Sequence, residues 1–271
     1  MTTATRQNFY PTRFKDAARY YSTGRPVYPR LLSQRIAAVI GLTRAHAVLD
    51  VGTGPGFLAI DFARHAGTVT GLDPSLEMLE VARANAQRAG AAIAFTQGTS
   101  YDIGSQFGRV RLTTFGRSFH WTDRAATLLA LDAITDAGGA VALIGDRFPE
   151  VPDNAWRPAF EALLDSYGKD ESALAKRRGE PIHEAILLNS PFSHLERISV
   201  LERRSTPIEH FVDRALSFGK VWHGTPGFSK EDLALRVRTA LAPHATADGL
   251  INEVVEGHAL VARRPGDLPR A

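Results

Sequence analysis

The segment Ala47-Val48-Leu49-Asp50-Val51-Gly52-Thr53-Gly54-Pro55-Gly56 constrains the fold of this chain more than any other. A short apolar run that ends in a glycine-rich turn reads as a buried strand feeding a helix. The pattern then repeats. Phe57–His65 reads as a helix, and Val69–Asp73 as a second strand that closes on an acid. Ser75 is suited to cap the next helix, with Glu77 in its first turn and Gly90 as its stop. Ala92–Thr96, Val110–Phe115 and Ala140–Ile144 read as three further strands, with a helix over Asp123–Thr135. Strand and helix in alternation imply a parallel sheet joined by right-handed crossovers.

The flanks differ from this core. The first 45 residues look helical and break near Gly24-Arg25-Pro26; Leu31, Leu32, Ile36, Val39 and Ile40 follow helical spacing up to Gly41. Beyond Asp146, helices are expected at Asn154–Tyr167, Ile182–Leu188, Glu209–Phe218 and Lys230–Leu241, and strands at His194–Glu202 and Glu253–Ala262. The expected architecture is a single α/β domain over 1–271, with a doubly wound, mostly parallel seven-stranded sheet. Its core spans 42–146. Helical segments at 1–41, 150–193 and 206–250 either cap a site or serve as packing elements.

Composition removes several classes of function. There is no cysteine in 271 residues, so disulfides, thiolate nucleophiles and cysteine-held zinc are excluded. No secretory leader or membrane span is read, which suits a soluble cytoplasmic protein. The net charge of +3 is small and the basic pairs Arg177–Arg178, Arg203–Arg204 and Arg263–Arg264 are scattered, which argues against a nucleic-acid surface. The histidines show no metal-ligand spacing, so no metal is expected.

The glycine loop lies at the carboxyl end of a strand, where open α/β sheets bind ligands. Asp73 closes the next strand seventeen positions after Gly56. An acid there can accept hydrogen bonds from both hydroxyls of a ribose, each contributing about 1.5–3 kcal/mol. Dinucleotide folds want G-x-G-x-x-G/A. Gly52 and Gly54 fit, but the third small position is Phe57, and Gly56 comes one place early.

Val48–Gly56 followed by Gly71-Leu72-Asp73-Pro74-Ser75 resembles class I S-adenosylmethionine-dependent methyltransferases, and more narrowly the small-molecule group called methyltransferase type 11. Tyr21–Pro29, Glu77–Arg83 and Phe115-Gly116-Arg117-Ser118-Phe119-His120-Trp121 are similar to further segments of that group, so the resemblance covers roughly residues 15–146. It implies S-adenosyl-L-methionine as cofactor. Gly52, Thr53, Gly54 and Gly56 would pass under its methionine part, and Asp50 would orient that loop and the amino group. Asp73 would take the ribose, Leu72 or Pro74 the adenine edge, and Thr99 and Ser100 the adenine amine. Tyr21 and Arg25 would fold over the carboxylate end, and Phe115 would stand beside the cofactor. Two positions depart from the family pattern: Thr99, where an acid or another small polar residue is usual, and Arg111, where aspartate is usual.

Methyl transfer needs an aligned acceptor and, for a hydroxyl or amine, a base. His120, just past the fourth strand, is the candidate base; the alternative is that it packs. Trp121 and Arg117 are candidates for contact with the acceptor, Arg117 with an acidic one. Trp156, Phe160, Phe218, Trp222, His223 and Phe228 either line an acceptor pocket or form ordinary core. The expected reaction is methylation of a small molecule at oxygen. The alternatives are an RNA or protein methyltransferase, a cofactor-binding protein without turnover, and a nicotinamide dehydrogenase.

Overall fold

A computed structural model describes residues 18–168, 182–218, 221–222 and 228–267. The helical reading of residues 1–17, and the middle of the 150–193 segment, lie outside these residues. Seven strands form one sheet: β1 (Ala47–Val51), β2 (Thr68–Asp73), β3 (Ala94–Gln97), β4 (Val110–Gly116), β5 (Thr135–Arg147), β6 (His194–Pro207) and β7 (Leu250–Arg263). Their spatial order is β3-β2-β1-β4-β5-β7-β6. Strands β1 to β5 pair in parallel; β7 runs antiparallel between β5 and β6.

Apolar side chains alternate onto two faces of the sheet. Val48, Leu112, Ala140 and Ile144 face a core closed by α2 (Arg30–Val39) and α3 (Phe57–Phe62). Leu49, Val51, Phe115, Val141 and Leu143 face a second core, closed by α5 (Arg124–Ile134) and α7 (His183–Leu188). The crossover after β2 is α4 (Leu76–Arg88), and Ser75 caps it by accepting from the Met78 amide at 3.2 Å. Asp123 caps α5 in the same way, through the Ala126 amide at 3.1 Å. Such caps contribute about 1 kcal/mol each.

A third apolar cluster unites α6 (Arg157–Ser166), α8 (Ile208–Leu216) and α9 (Lys230–Leu241) around Phe160, Phe211, Leu233, Val237 and Ile251. The N-terminal helix α1 (Ala18–Gly24) docks onto α8. A Cβ on Gly24 would lie 2.4 Å from the backbone of Asp213 and Arg214, so only glycine allows this approach. Arg214 completes the joint. Its Nε donates to the Gly24 carbonyl at 3.1 Å, and its guanidinium pairs with buried Glu253 on β7 at 3.0 Å.

Three strands, β5, β6 and β7, extend well beyond the sequence reading. β5 begins five residues earlier than the expected Ala140, because a left-handed turn at Gly138 lets the chain pair before its apolar run starts. β6 and β7 run on together to the Pro207–Leu250 pair, past the end of β5 at Arg147. The added pairs include Arg203, Arg204 and Ser205 on an open edge, where no apolar pattern marks a strand. No helix among the described residues is long and apolar enough to cross a membrane.

Candidate active site

A cleft of about 520 Å³ opens at the carboxyl ends of β1, β2, β3 and β4. Its floor is the glycine loop, and the loop is held from beneath. Gly52 and Thr53 donate their amides to the Leu72 carbonyl, at 2.7 and 3.0 Å. The Gly54 amide donates to Asp73 Oδ2 at 2.8 Å, and the Gly56 amide to the Thr53 carbonyl at 2.9 Å. Pro55 has no amide hydrogen. These amides are therefore spent inside the protein, and together they do not form the anion cradle that a pyrophosphate requires. Gly52 sits at φ +67°, where a Cβ would fall 2.5 Å from Ser118 Cβ. Ser118 in turn donates to the Val51 carbonyl at 2.6 Å, locking the segment after β4 onto the loop.

Two acids set the electrostatics. Asp50 is buried beneath the loop and accepts from the Thr53 and Thr114 hydroxyls at 2.6 and 2.7 Å. Burial pushes its carboxyl up to about 6, against the opposing pull of those two hydrogen bonds. Asp73 accepts from the Ser75 amide at 2.9 Å as well as from Gly54. Burial raises its carboxyl too, and the two backbone donors oppose the rise. An ionised carboxylate has about four acceptor sites. Two backbone bonds fix Asp73 and leave it capacity toward the cleft.

At one end stand Pro74, Met78, Gly98, Thr99, Ser100, Tyr101 and Asp102. Thr99 is already engaged: its hydroxyl donates to Asp102 Oδ2 at 2.9 Å and accepts from the Tyr101 amide. Asp102 is absent from the residues that sequence reasoning singles out. The signal for it is the Thr99-x-x-Asp102 capping box, which holds its carboxylate beside the cleft. At the other end stand Tyr21, Tyr28, Gly116, Arg117, Ser118 and Trp121. Arg117 has φ +58°, the one left-handed non-glycine residue among those described. Such a conformation costs about 1–3 kcal/mol and is typical of functional positions. Its guanidinium pairs with Asp146 and lies over the Tyr28 ring at 5.1 Å and the Tyr21 ring at 5.8 Å.

Of the expected site residues, Tyr21, Asp50, Gly52, Thr53, Gly54, Asp73, Pro74, Thr99, Ser100, Arg117 and Trp121 line this cleft. Four do not. Phe115 points into the sheet core, edge-on to Phe119 at 5.0 Å, because alternation turns it away from its neighbours. Gly56 starts α3 and abuts Ala82 and Phe95 on the far side of the loop. Arg25 lies behind Tyr21, with its guanidinium 4.0 Å from the centre of the Phe218 ring. His120 packs against Trp121, itself on the cleft wall, with ring centres 4.7 Å apart, and is not among the residues that line the cleft. Trp156, Phe160, Phe218, Trp222 and Phe228 belong to the third apolar cluster and not to the cleft; His223 lies outside the described residues. Arg111 is also accounted for. It sits at the opposite end of β4, where it donates to the Ala137 carbonyl and meets His46 Nε2 at 3.2 Å, tying down the turn near the start of β5. Among the described residues no group of three or more acids or histidines could hold a metal.

A doubly wound sheet with an acid-lined cleft above a tethered glycine loop is the layout of an α/β protein that binds a ligand at its strand ends. Residues 48–139 match the family model for a methyltransferase domain. An uncharacterised methyltransferase of Mycobacterium tuberculosis strain H37Rv is 26% identical over 241 residues, 88% of this chain and 90% of its own length. A ubiquinone biosynthesis O-methyltransferase of Vibrio parahaemolyticus is 35% identical over 96 residues, 35% of this chain and 41% of its own. A solved structure from Anaeromyxobacter dehalogenans, assigned as a type II methyltransferase, shares the fold at 17% identity and a TM-score of 0.53, covering 91% of this chain and 99% of that one. The segment 48–139 is a methyltransferase domain of the S-adenosylmethionine-dependent type.

Proposed function

We propose that this cleft holds S-adenosylmethionine and presents its methyl group to a small-molecule acceptor, which is methylated at oxygen. The observation that carries the reading is the tethered loop. Its amides are turned inward and two buried acids lie below it, which suits a ribose and an ammonium group and opposes a pyrophosphate. Asp73 would accept from the ribose hydroxyls. Asp50 would stand near the amino group, and Asp102, Pro74 and Met78 would form the adenine wall. The bound cofactor supplies an activated methyl on a sulfonium. The chain supplies alignment and exclusion of water.

The acceptor would enter between Tyr21, Tyr28, Arg117 and Trp121. The helices α1, α6, α8 and α9 would cap this end, with α1 held in place through Gly24, Arg214 and Glu253. A cleft of about 520 Å³ has room for a cofactor and a small acceptor side by side, which suits a small molecule. The O-methyltransferase likeness of the core segment points the same way.

The test is transfer of label from methyl-tritiated S-adenosylmethionine, with a cell extract split into small-molecule and macromolecular fractions. The expected result is label in the small-molecule fraction, lost in Asp73→Ala. Label confined to RNA or protein would overturn the acceptor class.

A further inference from the structure

The acceptor end of the cleft carries donors that the fold leaves without partners. Tyr28 is almost fully buried and lines the cleft, yet its hydroxyl has no hydrogen-bond partner among the described residues. Arg117 commits one Nη nitrogen to Asp146, while its buried Nε has no partner among the described residues. The Nε–Nη2 side of a guanidinium is the fork that matches a carboxylate with two parallel hydrogen bonds. Arg25 stands close behind, its Nε also unpartnered, and meets the Tyr21 and Phe218 rings. Asp146 is the carboxylate paired with Arg117 among the described residues, and Arg25 brings a second guanidinium to the same corner.

The cleft wall is equally specific in what it lacks. Among the described lining residues there is no histidine, lysine or glutamate. The three aspartates each hold two donors already: Thr53 and Thr114 on Asp50, Gly54 and Ser75 on Asp73, and the amide and hydroxyl of Thr99 on Asp102. Such a site suits an acceptor that arrives already anionic and needs no proton removed.

We infer that the acceptor is a carboxylic acid, bound as its carboxylate by Arg117 and the Tyr28 hydroxyl with Tyr21 alongside, and that the product is its methyl ester. The inference rests on the methyl-transfer reading above. A carboxylate oxygen takes the methyl carbon as the carbon–sulfur bond breaks, and the bonding pair stays on sulfur. The anion and the sulfonium cation both become neutral, and no proton moves. Charge is lost on the way to product, so a cleft that excludes water favours the step. The left-handed backbone at Arg117 serves this placement: its amide donates to the Ile144 carbonyl at 3.0 Å, and Gly116 and Ser118 are pinned on either side by Leu58 and Val51.

The full-length protein is incubated with methyl-tritiated S-adenosylmethionine and a deproteinised small-molecule extract, and the products are heated in base. Methyl esters release label as volatile methanol; ethers and N-methyl compounds retain it. The expected result is volatile label that falls at least tenfold in Arg117→Met and at least threefold in Tyr28→Phe, a change that removes only an unpartnered hydroxyl. S-adenosylhomocysteine affinity in Tyr28→Phe should stay within twofold of the unaltered protein. Base-stable label that Tyr28→Phe leaves unchanged overturns the inference and spares the methyl-transfer reading. If no compound is labelled, protein saturated with S-adenosylhomocysteine is titrated with phenylacetate and hexanoate against their amides. Acids bound at least fivefold more tightly, with the preference removed by Arg117→Met, support the inference; absence of that preference overturns it. Failure of the unaltered protein to bind S-adenosylhomocysteine overturns both readings.

Discussion

Replacing Asp50 with asparagine should stabilise the ligand-free protein while weakening its hold on the cofactor. The carboxyl is fully enclosed under the glycine loop and is pushed up to about 6 by that burial. An aspartate in an unfolded chain titrates near 3.9, so the rise is about two units, each worth about 1.4 kcal/mol. Ionised Asp50 therefore costs the native state on the order of 3 kcal/mol at neutral pH. The folded protein binds this proton more tightly than the unfolded chain does. Stability contributed by the group thus rises as pH falls through about 6 and is complete below about 4; above 6 the penalty stands in full. Asparagine carries no such penalty. Its oxygen can accept from Thr53, and the Thr114 hydroxyl can turn to accept from the amide, at a cost of about 1 kcal/mol for the rearranged bond. Urea unfolding should find Asp50→Asn more stable than the natural protein by about 1–3 kcal/mol at pH 7.5. The gap should shrink or reverse by pH 4.5. The same variant should bind S-adenosylhomocysteine at least tenfold more weakly. A variant less stable by the same amount at both pH values would refute the reasoning, since the buried charge would then carry no penalty.

Three further outcomes follow from other parts of the molecule. Gly52→Ala meets both a left-handed backbone and the Ser118 side chain at 2.5 Å, so a loss of about 2–4 kcal/mol is expected; thermal denaturation should show a Tm lower by about 5–10 °C. Glu253→Ala leaves Arg214 charged and unpaired in the interior, at a cost of about 3–5 kcal/mol in urea titration. The double change Arg214→Met with Glu253→Leu should be milder. His120→Ala should keep kcat within about threefold, because the ring is not on the cleft wall; a general base would cost about a hundredfold or more.

The parts legible in the sequence are those where local pattern and burial agree. β1 and β2 are short, largely buried runs, and the residue at the end of each is fixed by the loop. Gly52, just after β1, must be left-handed, and Asp73, at the end of β2, must hold the loop. The Ser75 cap is a local bond over three residues, so it is visible too. What is hidden depends on residues distant in the chain. Arg117 and Asp146 are 29 positions apart, and no local signal shows that Arg117 is left-handed. Phe115 carries part of the family resemblance, yet side-chain alternation along β4 turns it into the sheet core, and the contact of His120 with Trp121 forms only in the turn after it. The ends of β6 and β7 escape for another reason. They pair with each other on an open edge, where polar residues are tolerated and the apolar pattern fades.

The central claim, that Asp73 and the tethered loop bind S-adenosylmethionine and not a dinucleotide, is tested most directly by calorimetry. The protein and its Asp73→Ala variant are titrated with S-adenosylhomocysteine and, in parallel, with NADH. Micromolar binding of S-adenosylhomocysteine, no binding of NADH, and a loss of tenfold or more in the variant, about 1.4 kcal/mol, are expected. Binding of NADH alone, or S-adenosylhomocysteine affinity indifferent to Asp73, would contradict it.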